Sequence, residues 1–198
     1  MFFSYFKSFS FLMASLYVFI IFISIIFIPI FAYNYNISID VLYDRYFFNI
    51  DSDFAWPVPA YNTISSYYGK RVSPTQGASS FHRGIDIAAP TGANLVAVSD
   101  AQVTYTGFNG SGGFTIILSK DNYTFYYSHV SPNFIVKVND FVYKGDVIGY
   151  VGPKNVYNIP NNPYYDSQGN PTNGATTGPH LHFAIKIDGQ TVNPLDFY

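Results

Sequence analysis

The hydrophobic pattern divides the chain into two regions of different texture. The segment from Phe11 to Phe31 is almost wholly apolar and carries no charged residue. About 20 apolar residues are enough for a helix to span a bilayer, whereas the apolar region of a signal peptide has about 7–15 residues. We therefore predict a transmembrane helix within residues 1–33. A signal sequence cleaved near Ala32 is the alternative.

Charges on the two sides of this segment indicate its orientation. Lys7 precedes it, whereas Asp40 and Asp44 follow it. Positive residues favour the cytoplasmic side of a membrane helix. We expect a single-pass protein of the cell membrane whose C-terminal part lies outside the cytoplasm, or a secreted protein if the segment is cleaved. Residues 34–53 lack a helical period and are interpreted as a tether.

The remaining region, residues 54–198, has short alternating runs broken by Gly, Pro, Asn and Asp, a pattern typical of an all-β domain. Asp121-Asn122 predicts a hairpin turn between two of these runs. No apolar stripe of helical period follows Asp53. The candidate strands are Asn94–Val98, Gln102–Thr106, Phe114–Ser119, Thr124–His129, Val142–Tyr143, Val147–Val151 and Leu181–Ile187.

Composition excludes several classes of function. The formal net charge is -2, so no basic surface favours a nucleic-acid partner. The chain has no cysteine, and all 12 acidic residues are aspartate. Thiolate zinc sites, cysteine nucleophiles and metallopeptidases with a glutamate base are therefore excluded, including the His-Glu-x-x-His type.

The 4 histidines fall in short motifs that suit one metal site. His82 precedes Asp86 by four positions, His129 ends a strand-like run, and His180 and His182 share one face of a candidate strand. A catalytic zinc commonly takes three imidazole or carboxylate ligands and keeps one position open. His82, Asp86 and either member of the His-x-His pair could supply them. The two remaining histidines could then move a proton or stabilise an oxyanion.

Three of these motifs resemble a known family. The segment from His82 to Pro90, with the sequence HRGIDIAAP, is similar to the first metal motif of lysostaphin-type zinc endopeptidases, the LytM-domain peptidoglycan hydrolases. Tyr127-Ser128-His129 resembles their catalytic-histidine motif, and the segment from Thr177 to Phe183, TGPHLHF, resembles their second metal motif. The resemblance covers the chain from about Trp56 to its last residue.

This resemblance implies a fold, a site and a substrate. The fold would be a compact antiparallel β-sheet domain with one zinc ion in a groove. Zinc would be bound by His82, Asp86 and His182, while His129 and His180 would be catalytic histidines that do not bind the metal. The substrate would be a peptide stem or cross-link of bacterial peptidoglycan, reached from a membrane anchor.

One segment departs from the family pattern. Many relatives have only a few residues between the equivalents of Gly152 and Gly178, whereas this chain inserts residues 153–177. Long loops are often functional, although a surface insertion without a role is the alternative. Three other functions stay open. They are a non-catalytic LytM-type module that regulates other hydrolases, a structural component of an envelope complex, and a zinc amidase or carboxypeptidase.

Overall fold

The computed structural model describes residues 54–198, which all fall within one compact unit. This part of the chain contains β-strands and two short 3-10 helices, Gly110–Gly112 and Pro194–Phe197, but no α-helix. The strands are β1 (Ile64–Ser66), β2 (Gly69–Lys70), β3 (Phe81–His82), β4 (Ile85–Ile87), β5 (Asn94–Val96), β6 (Ala101–Phe108), β7 (Phe114–Lys120), β8 (Tyr123–Ser128), β9 (Phe141–Val142), β10 (Val147–Tyr150), β11 (Leu181–Ile187) and β12 (Gln190–Val192).

The predicted membrane helix and tether lie outside the described residues. Within residues 54–198, no helix has the length and apolar character needed to cross a bilayer.

The main sheet has 8 strands in the order β1-β4-β11-β8-β7-β6-β9, and β12 pairs with β11 at one end. Two small sheets pair β10 with β5 and β2 with β3. Every strand pair is antiparallel. The prediction of an all-β antiparallel domain is therefore confirmed.

Strand β11 shows how alternation positions the site. Its Leu181, Phe183 and Ile185 are fully buried in the core, while His182 on the opposite face is only partly buried. Burying an aliphatic or aromatic side chain of this size stabilises the fold by roughly 1.5–3 kcal/mol. The core face thus holds the strand in register and directs His182 away from the core.

The prediction from alternation is confirmed for the longer strands and misses five of the short ones. The Asp121-Asn122 turn joins β7 to β8, with Asp121 in the left-handed region at φ 51. Strands β1 to β4 and β12 were not predicted. Each has only 2 or 3 residues, which is too short for a period of two to show.

Polar contacts organise the insertion at residues 153–177. The Asp166 carboxylate accepts hydrogen bonds from the backbone amides of Asn170 at 2.9 Å and Gln168 at 3.0 Å, and it lies 3.1 Å from Lys154 Nζ. The amide of Asn170 is the main reason that the pKa of Asp166 lies well below its usual range. An isolated bridge between Asn155 and Thr172 closes the loop. Its last residues then run beside the site.

Candidate active site

Strand pairing brings the three predicted metal ligands together. In the β4–β11 pair, Asp86 lies directly opposite His182. Directly opposed residues in an antiparallel pair point to the same face of the sheet, so their side chains meet. His82 ends β3, two residues before β4 begins, and a tight turn returns it to the same face.

The ligand atoms of these residues form a small triangle. His82 Nε2 lies 2.8 Å from His182 Nδ1 and 3.1 Å from Asp86 Oδ1, and the third side, His182 Nδ1 to Asp86 Oδ1, is 2.9 Å. Zinc bonds of about 2.0–2.2 Å place neighbouring tetrahedral ligands about 3.3–3.5 Å apart. Two imidazole nitrogens and one carboxylate oxygen, a few tenths of an ångström closer than this, fit a zinc ion after a small outward shift.

Outer hydrogen bonds orient His82 towards the triangle. Its Nδ1 lies 2.9 Å from the Tyr67 carbonyl, to which it donates when the proton is on Nδ1. The Nε2 lone pair then faces Asp86 and His182. A ligand imidazole with its other nitrogen bound to a carbonyl is the usual arrangement in metal sites.

Arg71 holds the second oxygen of Asp86. Its Nη1 donates to Asp86 Oδ2 at 3.0 Å and to Ser66 Oγ at 2.6 Å. Oδ1 is thereby left for the two histidines and Oδ2 for the arginine. Neither the position of Arg71 in the sequence nor its spacing from His82 predicts this contact.

The charge state of Asp86 follows from its surroundings. Burial alone would raise the pKa of this carboxyl, but the close contacts with His180, His182 and His82 hold the pKa well below its usual range. Asp86 is therefore an anion at neutral pH. An anionic oxygen beside two imidazoles attracts a divalent cation.

The other two histidines lie together beside the triangle. The rings of His129 and His180 have centroids 4.7 Å apart, and His180 Nε2 lies 3.5 Å from Asp86 Oδ1. His129 Nδ1 is 2.7 Å from the Asn173 carbonyl, and His180 Nδ1 is 2.9 Å from the Gly178 carbonyl. When the proton is on Nδ1, each ring donates to its carbonyl and each Nε2 carries the lone pair.

His129 is neutral at neutral pH. Burial lowers the pKa of its imidazole to about 3, and the neighbouring His180 and His182 act in the same direction. Its backbone has φ 60, an uncommon conformation for a residue with a side chain. The bonds from His129 N to Gly112 O at 2.8 Å and from Gly152 N to His129 O at 2.9 Å hold it there.

Asn173, near the end of the insertion, supports His129 and was not anticipated from the sequence. Besides its carbonyl contact to His129, its side chain accepts from Phe114 N at 2.7 Å and donates to Val130 O at 3.0 Å. It is fully buried. The Asn173-Gly174 dipeptide signals a turn, but no sequence pattern indicates that this turn touches a histidine.

All five predicted site residues border a groove of about 710 Å³. The lining also includes Arg71, Phe81, part of the 109–112 segment and residues 175–179. Pockets of about 300–1,000 Å³ accommodate small ligands or short peptide segments. The structure therefore brings together every residue that the sequence singled out, on the floor and sides of one open groove.

Sequence comparison identifies the family of this domain. Residues 80–194 match the pattern of Peptidase family M23, and this stretch contains all five residues. The chain belongs to peptidase family M23. The resemblance drawn from the three motifs is thereby confirmed.

Among curated relatives, the chain is 34% identical over 136 residues to the DD-carboxypeptidase/endopeptidase Mpg of Neisseria meningitidis, a match covering 68% of this chain and 27% of that protein. It is 28% identical over 131 residues to the murein hydrolase activator NlpD of Salmonella typhimurium, covering 65% of this chain and 29% of NlpD. The chain thus matches less than a third of the length of either relative.

Solved structures agree on the fold. A zinc-containing peptidase from Vibrio cholerae superposes with a TM-score of 0.56 at 27% identity, covering 72% of this chain and 39% of that one. The catalytic domain of lysostaphin from Staphylococcus simulans gives 0.55 at 25% identity, covering 71% of this chain and 93% of that domain. The M23 family and the zinc-containing neighbour favour zinc for the His82, Asp86 and His182 group, which could hold a metal ion.

Proposed function

We propose that this chain is a zinc-dependent endopeptidase that hydrolyses peptide bonds in the stems or cross-links of bacterial peptidoglycan. The observation that carries the proposal is the division of the histidines into two sets. Two of them meet Asp86 in a triangle of ligand atoms, while the other two lie beside it with their Nδ1 atoms within hydrogen-bond distance of backbone carbonyls. A binding module needs no such pair. Relatives described as endopeptidases support the same function.

His82, Asp86 and His182 would hold the zinc ion, which supplies Lewis-acid chemistry when bound. His129 and His180 would move the protons. One Nε2 accepts a proton from the water that attacks the scissile carbonyl, and the other, once protonated, donates to the oxyanion or to the leaving amine. The backbone carbonyls of Asn173 and Gly178 hold both rings in the orientation that proton transfer requires.

His129 suits the base role electrostatically in the metal-free protein. Its pKa of about 3 keeps it neutral, with its Nε2 lone pair available. A base with so low a pKa is a weak proton acceptor. Efficient proton transfer from the water to His129 therefore requires that the assembled site lower the pKa of that water. His180 is therefore the alternative base.

A second function is a non-catalytic module that regulates other hydrolases, which the similarity to NlpD favours. Loss of a ligand would be the simplest route to such a role. This chain keeps all five positions, so the enzyme is the better-supported proposal.

One pair of variants tests the enzyme against the module. We expect His82→Ala to lose both zinc and hydrolysis, and His129→Ala to keep stoichiometric zinc while losing most turnover. Zinc content of the full-length chain and the fragments it releases from purified peptidoglycan are measured together, with circular dichroism as a control for folding. A zinc-loaded wild-type protein that cuts no peptide bond would support the module instead.

We also propose that the N-terminal apolar segment anchors the chain in the cell membrane, with residues 54–198 outside the cytoplasm. Support comes from the length of the segment and from the charges around it. Fractionation of cells, followed by protease treatment of intact spheroplasts, tests this. A protein found in the membrane fraction and degraded from outside fits the proposal, whereas one released into the medium shows that the segment is cleaved.

A further inference from the structure

The charges of the groove are unevenly distributed. Its lining contains two arginines, Arg71 and Arg83, no lysine, and one carboxylate, that of Asp86. The whole chain has a formal net charge of -2, so the positive character of the groove is local. Both arginines of residues 54–198 are in this lining.

The single carboxylate is already fully engaged. Asp86 Oδ1 lies 2.9–3.5 Å from nitrogens of His82, His180 and His182. Oδ2 accepts from Arg71 at 3.0 Å. The positive charge of Arg71 is thus balanced within the site, and no other anion of the lining is available to Arg83.

Arg83 differs from Arg71 in its contacts. It is exposed, and its guanidinium makes no hydrogen bond or ion pair with any residue in the 54–198 range. It follows His82 directly, so its side chain begins next to the ligand triangle. An arginine presents a planar set of donors that matches a carboxylate with two parallel hydrogen bonds.

We propose that Arg83 is a specificity-determining residue that binds a free α-carboxylate on the substrate residue supplying the nitrogen of the scissile amide. This rests on the proposed endopeptidase function. A bond formed to the distal amine of a diamino dicarboxylic acid such as diaminopimelate has such a carboxylate next to the scissile nitrogen, and so does a bond to a terminal residue. A bond inside a glycine bridge has none. The groove therefore selects directly cross-linked, acidic peptides over neutral bridges.

Two matched substrates test the proposal. Both are synthetic peptide dimers with a D-alanyl-diaminopimelate cross-link, and they differ only in whether the diaminopimelate carboxyl beside the scissile amide is free or amidated. The full-length chain is compared as wild type, Arg83→Gln, Arg83→Lys and Lys137→Gln. Lys137 is exposed, lies outside the groove lining and precedes the far-edge strand β9, so its loss controls for net charge.

Two measurements are made on each protein. Cleavage gives kcat and KM separately, and calorimetry on the zinc-free protein gives the dissociation constant of each dimer without turnover. We expect the wild type to prefer the free carboxylate about fivefold to tenfold, between the strengths of an exposed ion pair and a bidentate one, mainly through KM and binding. Arg83→Gln should lose this preference, Arg83→Lys should retain part of it, and Lys137→Gln should behave as the wild type.

The outcomes separate this proposal from the proposed function. Equal binding of both dimers by the wild type, or an unchanged preference in Arg83→Gln, overturns the role of Arg83, whether or not the bond is cut. A wild type that binds the free carboxylate preferentially through Arg83 but cleaves neither dimer supports the role of Arg83 and contradicts the endopeptidase function.

Discussion

The two halves of the site are built by different parts of the fold. The metal-ligand group of His82, Asp86 and His182 lies on strands β3, β4 and β11, of which β4 and β11 are paired, whereas the orientation of His129 and His180 depends on loop carbonyls. Strand register places side chains through many cooperative hydrogen bonds. A loop carbonyl places one ring through one bond. Zinc binding by the metal-ligand group should therefore be sensitive to the loss of a ligand atom. The orientation of His129 and His180 should instead be sensitive to small changes in loop position.

Substitutions that disable one half of the site at a time should have the largest effects on zinc binding and hydrolysis. Removing the carboxylate in Asp86→Ala takes away one ligand and leaves Arg71 without its partner, so we expect zinc binding and hydrolysis both to be lost. His129→Ala should lower kcat by about 10²–10⁴-fold, the usual contribution of a positioned acid or base, without changing zinc content. Metal analysis beside single-turnover hydrolysis checks both. Loss of zinc from His129→Ala would show that the halves are not separate.

Asn173→Ala tests the orientation of His129 by the loop without replacing a histidine. It removes two buried side-chain hydrogen bonds, to Phe114 N and Val130 O, and should destabilise the protein by about 2–4 kcal/mol. Because the Asn173 carbonyl orients His129, turnover should fall more than zinc affinity. Chemical denaturation and chelator competition measure the two. The exposed Asn133→Ala is the matched control and should leave both unchanged.

Arg71→Met tests the metal-ligand group through a residue that is not itself one of the three ligands. Releasing Asp86 Oδ2 should weaken zinc binding by about 10–100-fold, as is common when a partner of a metal ligand is removed. Titration against a chelator of known affinity gives the dissociation constant. An unchanged constant would mean that β4–β11 pairing alone orients Asp86.

The pH dependence of stability should show whether the folded protein lowers the pKa of His129. Its pKa is about 3 in the fold and near 6.5 when unfolded. Between these values the unfolded chain binds more protons, so this group's contribution to stability is present above about pH 6.5 and declines as the pH falls towards 3. From pH 7 to pH 5 the loss should be about 2 kcal/mol.

The comparison that isolates this effect is His129→Asn, since asparagine tolerates a positive φ. Metal-free wild type and variant are unfolded with urea at several pH values. The wild type should lose stability more steeply below pH 6.5 than the variant. Parallel curves would show that His129 is protonated in the folded protein at these pH values.

The sequence predicted the long strands and the five residues that the structure brings together, because both leave local signals. The segment from Leu181 to Ile187 alternates in sequence, and its Leu181, Phe183 and Ile185 are fully buried. The short strands β1 to β4 leave no local signal in the sequence, because their conformation is imposed by pairing with distant partners. Arg71 and Asn173 were missed for the same reason, since their contacts join residues 15 and 44 positions apart.

The sequence by itself determined the chemical inventory: histidine and aspartate without cysteine or glutamate, in motifs whose family could be identified. Composition and motif spacing are properties of the chain, so folding is not needed to read them. Only the tertiary structure decided which atoms meet. It set Asp86 Oδ1 against the histidines and Oδ2 against Arg71, and it left Arg83 without a partner in the groove. These are matters of distance between residues far apart in the chain, and only strand pairing and loop closure determine such distances.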